Sequence, residues 1–508
     1  MSGKMKFIFV ILSSVLLSRA QEDSKLPNFI GQASFPGSPA FTEVHKLSQS
    51  DDPVAAQTMY LSTFNALGLF QYDDIYFLRS PGDYLFDPEA FVDKMVESQV
   101  STGNYWPNNP DILPPDVVGR EGVVWTSGFL VPTKTDGRLN LYFSDDEFWS
   151  SGVNIASLDQ RTWSYHRVIW KDMDNDGDLD AVTARFHLNT NIIAYADTEF
   201  LWLENPNQGA VDGWEQHVLA YGRETAPDVH FRSETRCDFA SQREIAESRA
   251  RNRGTSREKS RPVLRDFWCL ARESERVSRE KHSILSDRQT DRQTDRQDLA
   301  KPCFGHNSAL RYPILITFCM LVPVPMPKIR RVAVDAPGQV FDIYLDDFNR
   351  DGKLDLLATV YDGEEGWVYV YDIDENWMEG NWNRRTIASG FVPNFIFGGQ
   401  SMSPGSPKPF YPSKEYEESL TEDGRQRKPY ISLSGDDDGK LYILTPDSED
   451  PSDWTYTKNI LVETGATTSG KIAIADMNND GYTDIIGCGY SAKTLYFFTY
   501  APLGEEGA

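Results

Sequence analysis

The chain has 508 residues, 40% of them hydrophobic and 12% aromatic, which is enough apolar surface for a large core and argues against a disordered chain. Its formal net charge of −26 excludes a nucleic-acid partner, because nothing would offset repulsion by the phosphates. An acidic extracellular surface or a cation-binding protein fits that balance.

At the N-terminus, Lys4 and Lys6 precede an apolar run from Phe7 to Leu17, followed by Ser18-Arg19-Ala20. Small residues at the −3 and −1 positions predict a signal peptide over residues 1–20, cleaved before Gln21. The run is far shorter than the roughly 20 residues a membrane span needs. Tyr312 to Pro327 is apolar too, but short and broken by prolines. The expectation is a secreted, extracellular protein with no membrane span.

Residues 21–231 read as the first part of a fold that resumes at 332–508. Ser34 to Pro132 consists of strand-like runs, with a short helix predicted in FDPEAFVDKMVESQV, Phe86 to Val100. KDMDNDGDLD, from Lys171 to Asp180, places carboxylates at every other position with a glycine among them. So many like charges destabilise a folded loop unless a cation occupies its centre.

After this loop come ARFH, with Arg185 and His187, and PDVHF, with His230. These three are the candidates for any catalytic role, although a histidine beside a strand is more often a hydrogen-bonded structural residue. FLWLENPNQGAVDGWEQHVLAYG has a layout that recurs twice later: an aromatic strand, a polar loop, a tryptophan and a strand ending near glycine. Trp163, Trp214, Trp382 and Trp454 hold similar places and are expected in the core.

Composition changes over residues 232–331, where 22 Lys+Arg face 13 Asp+Glu in an otherwise acidic chain. This anomalous basic insert lacks apolar periodicity and reads as disordered. It contains DRQTDRQTDRQ, Asp287 to Gln297. A repeated GACA tetranucleotide translates as that peptide, so the insert reads as retained intron or a gene-model error; a basic interaction tail is the alternative. It also holds Cys237, Cys269, Cys303 and Cys319, leaving Cys488 alone in the remainder. No internal disulfide is then expected to staple the fold.

The acidic loop returns twice, as DFNRDGKLDLLAT from Asp347 and DMNNDGYTDIIGC from Asp476. Calcium takes six to eight oxygen ligands, and alternate side chains of a tight loop can supply them. The expected ligands are Asp172, Asp174, Asp176, Asp178 and Asp180; Asp347, Asn349, Asp351, Lys353 and Asp355; and Asp476, Asn478, Asp480, Tyr482 and Asp484. Asp178, Lys353 and Tyr482 would contribute backbone carbonyls, giving about three structural Ca2+ sites.

An EF-hand is excluded, because its position 12 needs a bidentate Glu and here holds Thr183, Ala358 and Gly487. VFDIYL and KIAIA before the later loops alternate as strands do. A metal-free Asp-Gly hairpin turn is the plainer alternative, and GDDDGKLYIL at Gly435 to Leu444 reads as one. Ser401 to Lys428 reads as a long surface loop.

Repeated small sheets of short strands predict an all-β fold, a β-propeller of four-stranded antiparallel blades. The D-x-[DN]-x-D-G-x-x-D loops resemble those of the FG-GAP/VCBS repeat family, and IAIADMNNDGYTDIIGCGYSAKTLYFFTY is the closest stretch. The resemblance implies calcium between blade strands and a propeller like that of integrin α ectodomains. Without residues 1–20 and 232–331 the chain holds 388 residues. At about 45–60 residues a blade this gives seven blades, within a range of six to eight.

The resemblance further implies an extracellular binding or adhesion module for a carbohydrate or protein ligand. Two alternatives stay open: a propeller-based carbohydrate-active enzyme, lyase or dehydratase, and an acidic structural protein of the extracellular matrix. No GxSxG, HExxH or CxxC arrangement occurs, and no Asn-x-Ser/Thr sequon.

Overall fold

The computed structural model describes residues 25–47, 50–65, 71–129, 134–145, 151–158, 162–189, 195–225, 314–320, 328–373, 379, 382–394 and 401–503. The chain divides into two units, one of which, Cys237–Ser308, lies outside the described residues. So do the expected signal peptide and His230. The rest concerns the other unit.

Alternating apolar runs separated by turns fold here into six four-stranded antiparallel sheets, each made of strands consecutive around the ring. Blade 1 is Pro39–Lys46, Gln57–Thr63, Asp73–Arg79 and Gln99–Asn104. Blade 2 is Pro110–Leu113, Gly122–Thr126, Leu139–Phe143 and Ser151–Asn154. Blade 3 is Ser164–Lys171, Asp180–Asn189, Tyr195–Glu204 and Glu215–Thr225. Blade 4 is Gln339–Asp346, Asp355–Tyr361, Gly366–Asp372 and Asn383–Phe391. Blade 5 is Pro407–Phe410, Tyr430–Ser434, Lys440–Pro446 and Tyr456–Glu463.

Blade 6 joins the two ends of the chain. Ile472–Ala475, Asp484–Gly489 and Thr494–Thr499 supply three strands, and Asn28–Ser34 pairs antiparallel with Thr494–Thr499 as the fourth. Backbone bonds thus close the ring, and among the described residues Cys488 is a free, buried thiol. First strands of neighbouring blades touch around the axis: Pro39–Lys46 meets Ile472–Ala475 and Pro110–Leu113, and Gln339–Asp346 meets Pro407–Phe410.

The fold is a six-bladed propeller, within the expected range of six to eight and one blade short of seven. The residue count assigned to blades what the chain places in long connections, such as the one between Phe410 and Tyr430. That connection also corrects the expectation of a plain surface loop over Ser401 to Lys428. Within that span Pro407–Phe410 is a blade strand, Lys414–Glu418 a short helix, and Ser403 and Lys428 are buried. The helix expected near Phe86 is present as Pro88–Glu97, capped by Asp87 and burying Phe91, Val92 and Met95. Within the 232–331 insert, Ile314–Met320 pairs antiparallel with Lys328–Asp335, which runs just past its end.

Cores form where blades face one another. Leu113, Val124 and Leu141 of blade 2 pack with Tyr165, Ala181 and Leu201 of blade 3, and Phe348, Leu357 and Val370 of blade 4 with Ile431, Leu433 and Tyr442 of blade 5. Trp163 and Trp214 are buried in the first of these, Trp382 is buried with Leu356 and Tyr371 inside blade 4, and Trp454 packs half-buried against the second. Among the described residues, blades 3 and 4 do not share a cluster: Trp202 packs with Met173 and Val182, and Val334 with Leu356 and Tyr371.

Candidate functional site

The three acidic loops occupy equivalent places, joining the first and second strands of blades 3, 4 and 6. Because first strands share one sense around a propeller, all three loops open onto the same face. Their backbones match. Position 4 is left-handed, with φ of 66° at Asn175, 61° at Arg350 and 57° at Asn479. At position 6, Gly177, Gly352 and Gly481 have φ of 101°, 91° and 88°. A Cβ there would meet nothing within 4 Å, so backbone conformation rather than crowding requires glycine.

Side chains then fix the turn. Asp174, Asn349 and Asn478 each accept the N–H of position 5 at 3.1 Å. Asp176, Asp351 and Asp480 accept that of position 7 at 3.1, 2.9 and 2.9 Å. Asp180, Asp355 and Asp484 reach back to the N–H of Met173, Phe348 and Met477 at 2.8, 3.0 and 2.9 Å. Those position-2 side chains are buried, so each loop is pegged into its blade by an apolar residue and latched by a buried carboxylate.

That latch carries an electrostatic cost. Burial, reinforced by nearby carboxylates, pushes Asp180 up to about 6, Asp355 to about 8 and Asp484 to about 7. Asp178 is also pushed to about 6, first by burial and then by Asp176, Asp174 and Asp172.

Loop 1 has the donor set that best fits a hard divalent cation. Carboxylate oxygens of Asp172, Asp174 and Asp176 lie within 4.8 Å of one another. Both oxygens of Asp178 are shielded from solvent and accept no hydrogen bond, so its side chain, besides the carbonyl expected from sequence, is an available ligand. In the other loops an amide stands where loop 1 has its second carboxylate. Asn349 Nδ2 donates to Asp351 at 3.3 Å, and Asn478 Nδ2 to Asp480 at 3.0 Å. All three sets are oxygen-rich, as calcium prefers, with loop 1 the most anionic.

Neighbouring blades brace these loops. Asn205 donates to Val117 O at 2.8 Å and its N–H reaches Asp180 at 2.9 Å, tying loop 1 to blade 2. The long connection of blade 5 bridges the other two. Tyr411 accepts from Arg350 of loop 2 through its hydroxyl, and from Thr483 of loop 3 through its carbonyl at 2.5 Å. Lys414 N–H donates to Gly481 O at 2.9 Å and Thr483 N–H to Pro412 O at 3.0 Å. A cleft of about 550 Å³ between loop 3 and this connection is lined by Tyr411, Ser413, Glu417, Asp476 and Thr483. From blade 1, Gly82 approaches so closely that a Cβ would lie 2.2 Å from Met477 O.

Of the three catalytic candidates, Arg185 and His187 lie among the described residues, and both pack against Trp163. The Arg185 guanidinium is bonded to Glu199 at 2.6 and 2.8 Å and to Gln216 at 2.7 Å, and lies 4.2 Å from the Trp163 ring. His187, two residues on, has Nδ1 at 2.8 Å from Thr162 O and packs beside the same tryptophan.

The opposite face holds an assembly that the sequence did not reveal. Phe64, Trp106 and Phe129 stack in sequence at 4.3 and 5.1 Å, with Tyr490 at one end and Phe186 at the other. Trp106 has φ 51°, rare for a bulky residue, and its N–H is held by Asp73 at 2.9 Å. Asp73 also accepts from Asn65 N–H at 2.9 Å and pairs with fully buried Lys134 at 2.9 Å. Beside them Tyr72, 57% exposed, stacks on Tyr105 at 4.9 Å. On the axis, buried Glu43 joins Lys408 at 2.6 Å and Lys471 at 3.9 Å, linking blades 1, 5 and 6. These residues come from separate loops and blades, so only a fold could gather them.

Fold and loops together define a six-bladed β-propeller with three matched acidic loops on one face. No protein-family model matches the chain, and no curated protein matches it in sequence. Among solved structures it is similar to an α-L-arabinanase of Penicillium chrysogenum in complex with arabinobiose, at 11% identity and TM-score 0.36, covering 93% of this chain and 96% of that one. It is also similar to the α-L-arabinofuranosidase Arb93A of Fusarium graminearum, at 9%, TM-score 0.38, and 93% and 98% coverage. An apocarotenoid oxygenase of Synechocystis matches at 10%, TM-score 0.32, and 93% and 92% coverage. Likenesses this faint transfer no chemistry. Among the described residues, no helix is long and apolar enough to cross a membrane.

Proposed function

We propose that this is a secreted, calcium-stabilised propeller that binds an extracellular carbohydrate on the face opposite its acidic loops. One observation carries the reading: the two faces differ in chemistry. One presents three latched, oxygen-rich loops, and the other an aromatic band around Trp106 with exposed Tyr72 at its side. Calcium would offset the carboxylate repulsion and hold the loops rigid. Aromatic rings with polar neighbours suit the apolar faces and hydroxyl rims of sugars.

A melting curve in EDTA against millimolar calcium tests the metal, with a rise in Tm expected on adding calcium. A glycan array on the protein lacking residues 232–331 tests the ligand. Tyr72→Ala should lose the binding while leaving the calcium-dependent melt unchanged. The second reading is a carbohydrate-active enzyme; the polar cluster of Glu43, Lys408 and Lys471 at the axis favours it over a matrix protein. The same screen therefore includes neutral and uronate-containing oligosaccharides. Product release would replace binding with catalysis.

A further inference from the structure

We propose that Glu204, Glu215 and His217 of blade 3 form a second kind of metal site, for a transition ion of the Zn2+ class. Glu204 and Glu215 are direct cross-strand partners, a placement that destabilises a sheet when the charges are alike. Among the described residues neither forms an ion pair with a lysine or arginine. His217 lies two residues beyond Glu215 and so shares its side of the strand. Its Nε2 is 2.7 Å from a Glu204 oxygen, and the candidate ligand atoms of all three lie within 4.8 Å of one another. Ligands of a tetrahedral zinc at about 2.0–2.2 Å sit about 3.3 Å apart, a spacing that small rotations of the two glutamates reach.

The imidazole is placed independently of the carboxylates. It stacks on Trp202, its own cross-strand partner, with centroids 4.3 Å apart and planes at 20°. Trp202 is buried against Met173 and Val182, so the ring has a fixed platform. One nitrogen and two carboxylate donors distinguish this set from the all-oxygen loops. Imidazole favours zinc over calcium, and three protein ligands leave a coordination position open to solvent or an external group. The inference stands whether or not the loops hold calcium.

Calorimetric titration of the full chain with Zn2+, in millimolar calcium to fill any hard-cation sites, tests it. One equivalent of zinc is expected to bind, and His217→Gln should weaken it at least about tenfold, since even outer-shell losses cost about that much. Glu215→Gln, at an exposed position, should weaken it too without lowering the metal-free melting temperature, since it relieves a like-charge cross-strand pair. Absence of zinc binding overturns the proposal, as does wild-type zinc affinity in both variants.

Discussion

Asp355→Asn separates the structural role of the position-9 carboxylate from its role toward a cation. Asparagine keeps an oxygen for the Phe348 N–H, now accepted at 3.0 Å, and removes the buried charge. Asp355 is 2% exposed, and burial together with Asp347, Asp372 and Asp351 raises it from 3.8 to about 8. The folded metal-free protein therefore binds a proton that the unfolded chain releases, so this group lowers stability progressively as pH rises from about 4 to about 8. At pH 7 the full difference is on the order of 4 kcal/mol, and water entry and relaxation reduce it. Asp355→Asn should stabilise the metal-free protein by about 1–3 kcal/mol at pH 7, with the gain vanishing near pH 4. If the loop holds calcium as proposed, the sign inverts in saturating calcium, because a ligand is lost. Urea unfolding at pH 4 to 8, in EDTA and in calcium, reads both. Equal destabilisation by the substitution in EDTA and in calcium would refute the reasoning.

Tyr411→Phe removes the hydroxyl that accepts from Arg350 while keeping the ring and the carbonyl that holds Thr483. A loss of about 1–2 kcal/mol is expected in urea unfolding, and in an Arg350→Met background, where the donor is already gone, Tyr411→Phe should cost little further. Glu43→Gln leaves Lys408 and Lys471 without their buried counter-charge, at a cost of about 3–5 kcal/mol at pH 7. Burial alone would raise Glu43, but the two lysines hold it well below its ordinary 4.5. Its contribution is therefore present above about pH 4.5 and lost as pH falls further, so the wild-type and variant stability curves should converge only in strong acid. Lys134→Met strands buried Asp73 and should destabilise by about 3–5 kcal/mol, with loss of near-ultraviolet dichroism from the Trp106 stack.

Much of the loop face was legible in the sequence because its chemistry is local. Nine consecutive residues carry the glycine that accepts positive φ, the alternating oxygens and the buried peg, so each loop announces itself wherever it occurs. The strands around them show as period-two runs, and a propeller follows once short sheets repeat. Blade number was not legible, since a residue count cannot distinguish a blade from a connection such as Tyr411 to Pro429. Nor was the bracing of loops 2 and 3 by Tyr411, which lies far from both along the chain.

The sequence by itself determined the strand class, the three acidic loops and the absence of helices around them, because hydrophobic period and turn chemistry act within a few residues. Tertiary structure alone decided the rest. Packing the blades against one another stacked Trp106 between Phe64 and Phe129, buried Lys134 against Asp73 and joined Glu43 to two lysines. Those groups meet only because the sheets twist, pack and close, which brings distant segments within hydrogen-bond reach.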